Sequence, residues 1–178
     1  MVTERHHVRG LSVRIVNTRS DTSSEQVLAR LTQALDLIAV YAPRRLRRMR
    51  HDFAGIVVRR FPCRGAFFRQ ERECLVELTF TVNPRHSVAE IAACIVHEAT
   101  HARIAAMCGP LPEELRAREE RLCRNAELEL GLALPDGTVV VERARSALGM
   151  SDHNVAPVID WAEAARRVAD VDAGVDDG

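Results

Sequence analysis

The chain contains no lysine, so its 25 basic side chains are all arginines, and they balance 25 acidic side chains to a net charge of zero at pH 7. A neutral chain produces no overall field that would attract nucleic acid or an anionic membrane surface, and we expect neither as a partner. No stretch approaches the roughly 18 apolar residues of a transmembrane helix, and the first residues lack the apolar core of a secretory signal. These absences predict a cytoplasmic protein.

Aromatic residues are also scarce. They make up 4% of the chain, so the core should be built mainly from alanine, leucine and valine. The cysteines are odd in number and irregularly spaced, which argues against a disulfide framework and favours reduced thiols. They are Cys63, Cys74, Cys94, Cys108 and Cys123.

A length of 178 residues is enough for one domain with a real core. We expect residues 1–10 to be a flexible lead-in, residues 11–169 to form that single domain, and the aspartate-rich residues 170–178 to be a disordered acidic tail. The sequence leaves the oligomeric state open.

Hydrophobic periodicity predicts an α+β fold, with a small, mostly antiparallel sheet packed on helices. Alternating patterns predict strands over residues 11–15, 55–61 and 74–82. Helical patterns cover residues 22–41, with Thr22 and Glu25 as a capping box, then 87–107, 115–130 and 157–169. Residues 62–73 and 151–154 should be loops, and residues 138–148 begin as either a strand or a helix.

The segment from Ser87 to Ala102 carries the one pattern that indicates a chemistry, H-E-x-x-H. At about 100° per residue, His97 and His101 project from one face of a helix, so both imidazoles can reach a single cation. Glu98 then lies beside that cation without being forced to bind it. A general base for a metal-activated water belongs in that place, which predicts a zinc-dependent hydrolase.

The helix that this motif requires has clear boundaries in the sequence. Ser87 and Glu90 form an S-x-x-E capping box, and no glycine or proline interrupts residues 87–107. Cys108, Gly109 and Pro110 then supply a C-terminal stop.

A catalytic zinc site needs a third protein ligand, and the next helix offers two neighbouring acids. Glu119 falls within the apolar stripe of that helix, whereas Glu120 points about 100° away, toward charged residues. We therefore prefer Glu119 as the third ligand and keep Glu120 as the alternative. Glu127 and His153 are more remote candidates; His153 could instead stabilise an oxyanion if its loop folds over the metal.

The arrangement HEATH-x17-E, or HEATH-x18-E if Glu120 is the ligand, resembles the gluzincin zinc metallopeptidases, in particular their small single-domain members, the minigluzincins. The resemblance covers residues 74–131. It implies a short strand layer ahead of two helices, zinc held by two histidines and a glutamate, Glu98 as the base, and a peptide or protein substrate. The third histidine of metzincins is absent, because Met107 occupies its position.

One rival hypothesis keeps the fold without the catalysis. In it the chain is a non-catalytic zinc-binding or scaffold domain that binds a protein partner, with the arginine-rich run from Arg44 to Arg50 as the contact surface. The same run is more typical of a solvated helix face. Replacing Glu98 by glutamine separates the two hypotheses, because only an enzyme has turnover to lose.

Overall fold

The computed structural model describes residues 2–158 and 160–173, which fold as an α+β structure with a five-stranded sheet packed against helices. The strands are β1 (Val2–Val8), β2 (Leu11–Asn17), β3 (Gly55–Arg59), β4 (Gly65–Phe68) and β5 (Glu73–Glu77). The helices are α1 (Ser24–Tyr41), α2 (Pro43–Asp52), α3 (Leu78–Val82), α4 (Val88–Cys108), α5 (Arg116–Ala133), α6 (Thr138–Leu148), α7 (Asp152–Val155) and α8 (Trp161–Ala173). The predicted fold class is confirmed.

The sheet has the strand order β1-β2-β3-β5-β4. Its two outer pairings are antiparallel, with seven residue pairs between β1 and β2 and four between β4 and β5. The two inner pairings are parallel, with three residue pairs between β2 and β3 and five between β3 and β5. The sheet is therefore mixed but mostly antiparallel, and β4 forms one of its two edges.

Three segments of the sheet differ from the sequence prediction, and the first is β4, a strand within the predicted loop over residues 62–73. Residues 2–8 are a strand and not a flexible lead-in, because they pair along their whole length with β2. The predicted strand over residues 74–82 ends at Glu77, whose carboxylate accepts a 2.6 Å hydrogen bond from the backbone N–H of Phe80. That side-chain cap starts α3, and it overrides the alternating pattern of the following residues.

The long helix α1 covers the sheet with a buried stripe formed by Val27, Leu31, Leu35 and Ile38. It begins one residue later than expected. Ser23 and Gln26 form its capping box in place of the predicted Thr22 and Glu25. In α2, the following helix, Leu46 and Met49 are buried while Arg44, Arg47 and Arg48 remain exposed.

Helix α4 forms as the sequence predicts. Ser87 and Glu90 make the expected capping box, and Gly109 ends the helix with a φ of +70°, a conformation that favours glycine. The helix packs against α1, α2, β4, β5 and α5, so most of its surface is buried. It therefore presents the H-E-x-x-H motif from a rigid position in the middle of the molecule.

Helix α5 lies against α4 with an inward face that overlaps the predicted one in part. Leu122 is half exposed, whereas Cys123, Ala126 and Leu130 are buried. Glu119 and Glu127 are buried on the same side. The inward face thus includes Glu119, as predicted, and is rotated away from Leu122 toward Cys123 and Glu127.

The C-terminal third is more helical than expected. Residues 138–148 are helix α6, residues 152–155 form α7 where a loop over residues 151–154 was predicted, and α8 starts at Trp161 and runs to Ala173. Helix α8 thereby includes the first four residues of the expected tail, and residues 174–178 lie outside the described part. Among the described residues, none of the helices combines the length and the apolar character needed to cross a bilayer.

Candidate metal centre

The packing of α4 against α5 brings the two motif histidines together. The Nε2 atoms of His97 and His101 lie 3.2 Å apart, and the two rings meet edge to face. His97 is 8% exposed, and the side chain of His101 is 15% exposed. The helical spacing of the motif thus gives the convergent imidazole pair that the sequence predicts.

The outer nitrogen of each imidazole is held by a carboxylate of α5. The Nδ1 atom of His97 lies 2.6 Å from Glu127 Oε1, and the Nδ1 atom of His101 lies 2.8 Å from Glu119 Oε1. A carboxylate in this place accepts the Nδ1–H hydrogen bond and fixes the ring tautomer. Both Nε2 lone pairs are then directed toward the space between the rings.

Glu120 closes that space from the third side. Its Oε2 atom lies 3.3 Å from His97 Nε2, and its Oε1 atom lies 3.3 Å from His101 Nε2. Two lone pairs and a carboxylate repel one another unless a proton or a cation lies among them. The site is therefore built for positive charge.

The distances among these donors suit zinc. Separations of 3.2 and 3.3 Å between neighbouring donors are those that Zn–N and Zn–O bonds of about 2.0 Å produce. Two imidazoles and one carboxylate are also a usual donor set for catalytic zinc. Zinc thus fits the donors present, and Glu120 would be its third ligand.

Glu119, our preferred third ligand, occupies a different place. Its carboxylate contacts the outer nitrogen of His101, and Arg69 Nη2 donates to its two oxygens at 3.0 and 3.2 Å. That position orients a ligand histidine and does not face the space between the Nε2 atoms. The geometry favours the alternative, Glu120, because the inward face of α5 is rotated from the predicted one.

Glu127, which the sequence made only a remote candidate, proves to be the most buried carboxylate of the group, at 1% exposure. Arg124 and Arg143 donate to it at 2.7 and 3.2 Å. Burial alone would raise its pKa, but the hydrogen bond from His97 and the charges of the two arginines lower the pKa below its usual value. The sequence feature that could have indicated this contact with His97 is the position of Glu127 on the same side of α5 as Cys123 and Leu130.

Glu98 differs from the other acids because its carboxylate has no hydrogen-bond partner among the described residues. It is 6% exposed and lines the cavity in front of the histidines. Burial raises its pKa above the ordinary value, although the adjacent histidines oppose the shift. A carboxylate with its lone pairs unoccupied and a raised pKa is suited to accept a proton.

A thiol completes the surroundings of the histidines. Cys123 is fully buried, and its Sγ atom lies within 4.8 Å of a ring nitrogen of both His97 and His101. Burial raises the pKa of this thiol to about 11, although the hydrogen bond to His101 acts in the other direction. The five cysteines form no disulfide, so Cys123 is free to act as a soft donor.

A cavity of about 770 Å³ opens in front of these groups. Its walls come from α4, α5, strand β4 and the segment that leads into α8. His153, the possible oxyanion residue, is exposed on α7 and does not line the cavity, so its position does not support that role. Five arginines line the walls of the cavity: Arg64, Arg69, Arg116, Arg124 and Arg143.

Comparison with protein-family models, with curated proteins and with solved structures found no match to this chain. The gluzincin resemblance thus depends on the motif residues themselves. The arrangement of side chains around His97 and His101 is the ground on which a function can be proposed.

Gly65 of β4 lies close against the motif helix. A Cβ atom there would lie 2.6 Å from Cys94 Sγ and 3.0 Å from Glu98 Oε1. We expect Gly65→Ala to lower the free energy of unfolding by about 1–3 kcal/mol, because the packed helix cannot move away. Chemical denaturation measures this change.

Gly149→Ala is the matched control, since a Cβ at that position meets its nearest atom at 3.5 Å. It should change stability by less than about 1 kcal/mol. Adding Cys94→Ala to Gly65→Ala should restore part of the loss. Wild-type stability in Gly65→Ala alone would mean that β4 does not approach Glu98 this closely.

Proposed function

We propose that this protein is a zinc-dependent peptidase of the gluzincin kind. One observation carries the proposal: the Nε2 atoms of His97 and His101 and the carboxylate of Glu120 converge on one point, with Glu98 beside it. A buried helix that supplies two imidazoles and an adjacent unpaired carboxylate is the arrangement that metal-assisted hydrolysis needs.

Each protein group has a separate task in this proposal. His97, His101 and Glu120 would hold the zinc ion, while Glu119 and Glu127 keep the two imidazoles in orientation through their Nδ1 atoms. When bound, zinc would act as a Lewis acid that polarises the scissile carbonyl and lowers the pKa of water.

Glu98 performs the proton transfer. Its carboxylate accepts the proton of the attacking water and later delivers that proton to the amine leaving group. Because it makes no hydrogen bond to the described residues, no protein donor has to be displaced first. Its burial keeps it in a poorly solvated place, which favours proton uptake over a permanently charged state.

Strand β4 gives the substrate a place to bind. It lies at the edge of the sheet, and Gly65, Ala66 and Phe67 line the cavity. An extended peptide could add to this edge through main-chain hydrogen bonds, which are independent of side-chain identity. The peptide would then pass in front of Glu98, next to Gly65.

The test is zinc-dependent cleavage of a peptide library, with products identified by mass spectrometry. Zinc-loaded protein should cleave, chelator-treated protein should not, and one equivalent of zinc should restore cleavage. Folded, zinc-loaded protein that leaves the library intact would contradict the proposal.

A closed zinc site is the second candidate, and Cys123 is the observation that favours it. Two histidines, Glu120 and a thiolate would fill four positions, which is the pattern of a structural site. The protein would then be a scaffold, with the exposed arginines of α2 as a contact surface for a partner. Cobalt substitution distinguishes the two, because thiolate ligation adds a strong near-ultraviolet band that Cys123→Ala would remove.

A further inference from the structure

Five arginines line the cavity, and four of them are already engaged. Arg69 donates to Glu119, and Arg124 and Arg143 donate to Glu127. The fourth, Arg116, donates to the carbonyl oxygens of Ala156 and Pro157. Arg64 is the fifth, and among the described residues its guanidinium makes no hydrogen bond.

The nearest carboxylate to Arg64 is already satisfied by other groups. Glu90 Oε1 lies 3.7 Å from Arg64 Nη1, beyond hydrogen-bond distance. Glu90 accepts instead from the backbone N–H of Ser87 at 2.9 Å and contacts His86 Nδ1 at 3.2 Å. Arg64 thus retains its donors for another acceptor.

The guanidinium of Arg64 nevertheless has a defined position. Its central carbon lies 5.2 Å from the ring centre of Phe80, a cation–π contact. The side chain is 48% exposed, so its remaining face is open to the cavity. A half-exposed arginine that stacks on a ring loses little freedom when it binds a carboxylate.

Arg64 also stands next to the reacting centre. It directly precedes Gly65, the residue of β4 that lies against Glu98. A peptide added along β4 would place its scissile bond near Gly65, so a neighbouring side chain of that peptide would pass Arg64. This step depends on the proposed peptidase function.

The charge of the whole cavity agrees with an anionic ligand. The carboxylates in its wall are Glu98, Glu119, Glu120 and Glu127, and three of them are committed to the histidines. The five arginines outnumber these four acids, and a bound divalent cation would increase the excess. An acidic peptide would compensate the excess positive charge.

We propose that the substrates are acidic peptides and that Arg64 is the specificity residue, which forms a bidentate ion pair with an aspartate or glutamate side chain next to the scissile bond. Arginine suits this role because its planar fork matches both carboxylate oxygens. Each of the other four arginines already donates to an acceptor inside the protein.

The experiment compares two fluorogenic peptides that differ only by glutamate or glutamine beside the cleaved bond. Zinc-loaded wild-type protein should cleave the glutamate peptide with a kcat/KM about tenfold to a hundredfold higher, which is the range expected for one charged hydrogen-bonded pair. Arg64→Gln should remove this difference by slowing the glutamate peptide alone. Arg64→Glu should reverse the charge preference, so that a third peptide with lysine at the same position is cleaved faster than the glutamate peptide.

Arg47→Gln is the matched control, because it removes the same charge as Arg64→Gln. Arg47 is exposed on α2 and does not line the cavity. It should keep the wild-type preference. Equal cleavage of both peptides by wild-type protein, or an equal loss for both in Arg64→Gln, would overturn the role of Arg64 and leave the peptidase proposal standing.

Fluorescence anisotropy with the same peptides covers the case in which nothing is cleaved, which would contradict the peptidase proposal. Tighter binding of the glutamate peptide, lost in Arg64→Gln, would still establish Arg64 as a carboxylate-binding residue. Equal binding of the two peptides to zinc-loaded protein would overturn it. Zinc content and unfolding midpoint confirm that each variant is folded.

Discussion

Wild-type protein should retain one zinc ion per chain after dialysis, and Glu120→Gln should lose it as completely as His97→Ala does. Glu120 is the only acid of α5 whose carboxylate faces both Nε2 atoms among the described residues, at 3.3 Å from each. Its removal leaves two neutral donors, too few to hold zinc against dialysis. Elemental analysis of the purified variants measures the effect directly.

Glu119→Gln is the matched control, because it changes the adjacent residue in the same way. The glutamine oxygen can still accept from His101 Nδ1, so zinc should remain, with an affinity reduced by about 10- to 100-fold. Cys123→Ala should also retain the metal if the site is open. Loss of zinc in Glu119→Gln together with full retention in Glu120→Gln would mean that Glu119, and not Glu120, is the third ligand.

The motif helix was predictable because all of its determinants are local. The capping box at Ser87 and Glu90, the uninterrupted run that follows and the stop at Gly109 lie within one stretch of chain. Local hydrogen bonds and propensities therefore agree with the tertiary structure. The pairing of His97 with His101 follows from helix geometry alone.

The third ligand was not predictable with the same certainty, because its identity depends on the rotation of α5 about its own axis. The apolar pattern placed Glu119 on the inward face, as the structure does, but Leu122 is half exposed and Glu127 is buried in addition. These acids stay buried because His97, His101 and arginines compensate them. Hydrophobicity alone cannot reveal such a face, since its polar residues are stabilised by partners on other elements.

The errors in the sheet have a similar origin. Strand β1 is stabilised by pairing with β2, whereas the sequence around His6 and His7 carries no strong strand pattern. Strand β5 ends where the Glu77 side chain caps α3, although the alternation of apolar residues continues past it. In both cases a specific hydrogen-bonded partner decided the structure.

Glu98→Gln should lower kcat by about a hundredfold to ten thousandfold while zinc content stays at one per chain. Glutamine has the same shape, but its amide cannot accept the proton of the attacking water at neutral pH. The variant should be at least as stable as wild type, because a buried carboxylate without a hydrogen-bond partner is replaced by an uncharged group. Steady-state kinetics, metal analysis and the unfolding midpoint test the three parts of this prediction.

Glu142→Gln is the control for Glu98→Gln, since Glu142 is exposed on α6 and lies outside the cavity. It should change neither kcat nor zinc content. Undiminished turnover in Glu98→Gln would remove the carboxylate from the mechanism even if zinc is bound. Loss of both zinc and turnover would instead mean that Glu98 supports the metal site, because the general base of the proposed reaction must act without holding the cation.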